Sequence, residues 1–92
     1  MPTADDHPDV RRLRRRAEAT DRQYKQHFAG HPRLTRNPAL LGAMLAEVDE
    51  ALATLDGLAP GTTGREAVET ELRRQRDLYI GEDKAIRQAQ AE

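Results

Sequence analysis

Residues 37–57, NPALLGAMLAEVDEALATLDG, have the pattern of an amphipathic helix. Leu41, Leu45, Val48, Leu52 and Leu55 recur at alternating intervals of four and three, which returns each side chain to one face of a helix. Leu40, Met44 and Ala51 flank that stripe. Asn37 is a favoured N-cap, and Pro38 suits the first helical position, where no backbone N–H is needed. Gly57 closes the segment, with Leu58 placed for the apolar contact of a Schellman-type cap. Gly42, Ala43, Ala46 and Ala53 give an adjoining face small enough to admit a close neighbour.

Two more predicted helices flank this one. Toward the N-terminus, Val10, Leu13, Ala17, Thr20, Tyr24 and His27–Phe28 keep the same rhythm and predict a helix over residues 8–29. Asp6 or His7 can cap it, Pro8 opens it, and Gly30 followed by Pro32 stops it. Toward the C-terminus, Thr63 and Glu66 have the spacing of a capping box. Val68, Leu72, Tyr79 and Ile86 then form a stripe, interrupted at the seam by Gln75 and Glu82. Ile86 stays in register with Tyr79 across Gly81, so a single helix over residues 64–89 is expected. No segment alternates with period two, which removes strands. The predicted fold is all-α, a single domain built as an antiparallel three-helix bundle with coiled-coil-like stripes, preceded by a flexible segment over residues 1–6.

At ~1.5 Å per residue the third helix is the longest, and its last ten or so residues are expected to overhang the bundle. Such an overhang makes Tyr79, Ile80 and Ile86 candidates for binding a partner or a second copy. The thin core favours that expectation. Of 92 residues, 14 are Ala, and Leu, Ile, Val and Phe number only 16. Small chains with so little to bury often depend on association.

The net charge of −1 conceals segregation. Residues 1–9 carry −3, residues 10–36 carry +7, residues 37–62 carry −4 and residues 63–92 carry −1. Arg11, Arg12 and Arg15 lie within a run of five arginines, a pattern that can bind the phosphates of nucleic acid. The same residues also fill non-seam positions, as an ordinary solvated helix face would, and the acidic second helix offers them an internal complement. Asp5, Asp6 and Asp9 just upstream oppose phosphate binding.

The loop over residues 30–37 gathers His31, Arg33 and Arg36 beside the N-terminus of the second helix, a candidate site for an anion or an acidic partner. His27 and His31 are four apart, but Gly30 and Pro32 break the helix that would set them side by side for a metal. The chain has no Cys and no Ser, so thiolate and serine catalysis and cysteine-ligated metals are excluded. Residues 57–65 hold three glycines yet lack the spacing and the lysine of a phosphate loop. No Trp is present to stack bases, and no apolar run suggests a membrane span or a secretory signal. The expectation is a cytoplasmic, non-enzymatic helical module without cofactor, metal or small-molecule substrate. It would bind a protein partner or itself, with nucleic-acid binding through Arg11, Arg12 and Arg15 as the alternative.

Overall fold

The computed structural model describes residues 7–30 and 37–91, which form α1 (Pro8–His27), α2 (Pro38–Asp56) and α3 (Arg65–Ala91). All three pairs of helices pack together, most extensively α2 with α3, giving an antiparallel three-helix bundle. No strand occurs among the described residues. The expected N-terminal segment 1–6 lies outside them.

Each helix boundary has a local cause. His7 caps α1, its Nδ1 accepting from the Asp9 N–H at 3.1 Å, and Asp9 stands at the positive end of the helix dipole. The last turn tightens where the Phe28 and Ala29 N–H groups both donate to the Tyr24 carbonyl, so α1 ends two residues before Ala29. Gly30 follows with φ of +82°, the left-handed backbone that its lack of a side chain permits. At α2, Asn37 Oδ1 accepts from the Ala39 N–H at 3.0 Å, and Pro38 opens the helix.

Two predicted caps take a different form. Gly57 has φ of −76°, a right-handed conformation incompatible with a Schellman motif. The helix instead closes through short-range bonds, Gly57 N–H to the Thr54 carbonyl and Leu58 N–H to that of Leu55. Leu58 still packs against the core. At α3 the capping box over Thr63 and Glu66 is displaced. Gly64, with φ of +85°, turns the chain into the helix, and its carbonyl accepts the first helical bond from Val68 N–H. The Thr63 carbonyl accepts from His7 N–H instead, which sets the start of α1 level with the start of α3.

The core follows the predicted stripes, but Leu45 is only partly buried and the neighbouring Met44 takes the seam. Val10, Leu13, Ala17, Leu41, Met44, Val48, Leu55, Val68 and Leu72 are buried, with Phe28, Tyr79 and Ile86 at the upper end. The three aromatic residues of the chain stack there: Tyr24 lies 5.9 Å from Phe28 and 5.6 Å from Tyr79 between ring centroids. Helix α3 runs unbroken through Gly81.

Candidate interaction faces

The expected partner-binding overhang at Tyr79, Ile80 and Ile86 is corrected by the fold. Tyr79 and Ile86 are completely buried within the bundle itself, and of the three only Ile80 is exposed, at 40%. The reason is stagger. Since α1 and α3 start level, the rise of ~1.5 Å per residue brings residue 86 to about the height of Gly30, just past the end of α1, so only residues 87–91 project beyond. Ile86 therefore closes the top of the core. The candidate loop residues His31, Arg33 and Arg36 lie outside the described residues.

Charge on the surface is arranged by helix. α1 carries seven Lys or Arg and three acids, α2 carries four acids and no base, and α3 carries six of each. Across the α1–α2 surface, Arg16 reaches Glu47 at 3.0 Å and Glu50 at 3.6 Å. The other acids of α2 turn to α3, where Arg76 pairs with Asp49 at 2.8 Å and Arg65 lies 3.7 Å from Asp56. Of the predicted nucleic-acid residues, Arg12 pairs with Asp9 at 3.3 Å. Arg11 and Arg15 are exposed and form no ion pair with a described residue. The internal complement expected for the basic segment is thus made by Arg16, while the outermost arginines stay open to solvent.

Open grooves run along both sides of α1. Between α1 and α2 runs a groove of about 290 Å³ floored by Leu40 and Met44, with Ala19 and Ala43 on its banks and Arg16 and Glu47 at one end. Ala39, Gly42, Ala46 and Ala53 continue the exposed small-residue surface of α2 beside it.

Between α1 and α3 a groove of about 410 Å³ lies over Ala17 and Val68, rimmed by Asp21, Glu71 and Arg74. Beneath it is the most polar part of the interior. Gln75, completely buried, donates from Nε2 to the Ala17 carbonyl at 2.8 Å and to Glu71 Oε2 at 2.9 Å. Its Oε1 lies 2.7 Å from the Thr20 hydroxyl, whose single proton can go there or to the Ala17 carbonyl at 2.9 Å. Arg74 reaches across to Asp21 at 3.4 Å and binds Glu71 at 2.6 Å. The hydrogen bond from Arg74 holds the Glu71 carboxyl below its ordinary range, more than offsetting partial burial, and Glu71 in turn raises Arg74.

The Tyr79 phenol is a different case. Burial pushes its pKa up, outweighing the nearby Thr20 hydroxyl, which acts in the opposite direction. No group among the described residues meets hydrogen-bond geometry with the phenol oxygen itself. Sequence reasoning noted Gln75 as a break in the apolar seam but missed its role as a cross-helix bridge. It also missed Arg65, whose Nε donates to the Leu55 carbonyl at 3.2 Å and so satisfies the end of α2. An arginine just past a helix connector was the available signal.

Among the described residues no group of three or more potential ligands is placed to hold a metal ion, and no helix is long and apolar enough to cross a membrane. No protein-family model matches the chain, and neither a curated protein nor a solved structure shows significant similarity to it.

Proposed function

We propose that this chain is a non-enzymatic helical association module, acting by burying an exposed helical face against a second copy or a partner protein. The observation that carries the reading is the outward side of α2, where Ala39, Gly42, Ala43, Ala46 and Ala53 are all exposed. Long polar side chains normally cover a solvated face, and a surface this smooth lets a second helix approach closely at small entropic cost. The experiment compares the wild type with Ala46→Arg, which places a bulky cation in that face. A partner isolated from the native host should reassemble with the purified wild type at fixed stoichiometry, and the variant should lose it while keeping its helix content. A wild type that stays monomeric at millimolar concentration and retains no protein overturns the reading.

A second reading has its own observation. Arg11, Arg12 and Arg15 all face solvent, and Arg11 and Arg15 make no ion pair with a described residue, as phosphate contacts require. It predicts nucleic-acid binding that weakens steeply with salt and disappears when all three are reversed to Glu. Fluorescence anisotropy with single- and double-stranded probes at low salt checks it, and an unchanged signal sinks it.

A further inference from the structure

We propose that the face formed by α1 and α2 is a homodimer interface, with a two-fold axis running along the helices so that α1 of each copy lies against α2 of the other. This rests on the association reading above and names its partner.

Charge selects the partner and the symmetry. On this face α1 sets Arg12 and Arg16 beside the surface it shares with α2, and α2 sets Glu47 and Glu50 there, so the face is basic on one side of its groove and acidic on the other. A surface of this kind is complementary to itself after a half-turn. Two isologous arrangements bring the faces together. An axis across the helices stacks α1 on α1 and α2 on α2, like charge on like. An axis along the helices puts basic α1 on acidic α2 at both contacts. It also preserves chain direction, so each helix in the resulting ring of four is antiparallel to both its neighbours, which suits the helix dipoles.

The register agrees with the second arrangement. Arg16 reaches both Glu47 and Glu50, so residue 16 stands level with the middle of residues 47–50. With a rise of ~1.5 Å per residue and antiparallel chains, Arg15 then falls within about 1 Å of the height of Glu50, and Ala19 equally close to that of Ala46. A two-fold along the helices keeps heights unchanged. It therefore sets Arg15 level with the partner's Glu50, and Ala19 level with the partner's Ala46. Arg15 is exposed without an ion pair to a described residue, and Glu50, although 3.6 Å from Arg16, keeps 69% of its side chain exposed for a second cation. The small pair allows the helices to close over the groove between α1 and α2, which the second copy covers.

The test is the oligomeric state of the full chain by sedimentation velocity from micromolar to millimolar concentration. The wild type should dimerise, more weakly as salt rises. Arg15→Glu and Glu50→Arg each place two like-charge pairs in the interface and should each weaken dimerisation about tenfold. Mixing the two variants gives a pair with one contact of exchanged charges and one native contact, and should restore dimerisation as a heterodimer. Asp77→Lys, a charge change on α3, should leave the dimer unaffected. A dimer insensitive to both reversals, or one the mixture fails to rescue, overturns this arrangement while leaving association itself standing. A monomer at every concentration also overturns it, and the general reading then depends on the partner experiment with Ala46→Arg.

Discussion

At the scale of single residues, Gln75 and Tyr79 show opposite ways of placing a polar atom inside a small core. Gln75 has partners for both ends of its amide, from backbone and side chains of α1 and from its own helix. Gln75→Ala leaves a cavity together with an unused Ala17 carbonyl interaction, and should cost about 2–4 kcal/mol by chemical denaturation. Tyr79 keeps its ring in the aromatic stack while its hydroxyl is buried without a partner among the described residues. Tyr79→Phe removes that atom and preserves the ring, so it should be neutral or stabilise by up to about 1 kcal/mol, measured in the same way. A large loss would mean that the phenol is hydrogen-bonded in solution. Glu71 gives a pH signature. Its folded pKa is depressed, so its contribution is complete above the unfolded value and is lost as pH falls through the folded one. Glu71→Gln should flatten the acid limb of a stability–pH curve below about pH 4.5, where the wild type declines.

At the scale of elements, the helices were legible to the extent that their signals are local. Asn37, Pro38 and Gly57 bracket α2 within a few residues of its stripe, and the structure places its ends where those residues do. The continuity of α3 through Gly81 was legible for the same reason, since Ile86 keeps the register of Tyr79. Gly81 has negative φ, and a Cβ added there would meet no atom within 4 Å. Gly81→Ala should therefore stabilise the chain by about 1 kcal/mol, readable as a raised thermal midpoint. The caps at Gly57 and Thr63 turn on backbone conformation at single glycines, which residue type alone leaves open. What lay beyond reach was the stagger between helices. Gln75 meets Thr20 across 55 positions of chain, and the burial of Ile86 depends on α1 and α3 starting level at His7 and Thr63. The candidate faces were legible in part: the small residues of α2 could be seen, whereas the arginines open to solvent depend on which acids the other helices claim.

For the whole molecule, packing is uneven. α2 and α3 share the largest contact, and Arg65 fastens their connection by binding the Leu55 carbonyl and lying near Asp56 and Glu69. α1 has the smaller contacts and a groove on each side. Subglobal opening should release α1 first. Native-state hydrogen exchange should accordingly find the amides of Leu13–Tyr24 exchanging through a smaller free energy than those of Val48–Leu55 and Leu72–Tyr79. Equal protection in all three helices would show that the bundle opens as one unit.

The division of charge among the helices has a further physical result. With a basic rod beside an acidic one and a neutral third, the three helices together carry an electric moment perpendicular to their length although the net charge of the chain is close to zero. An anion exchanger and a cation exchanger would each meet an attractive side, so isoelectric point alone misjudges its retention. Near a charged wall the chain turns before it touches, offering α1 to negative surfaces and α2 to positive ones. Orientation in an encounter is thus decided at a distance of about a Debye length, ahead of any contact.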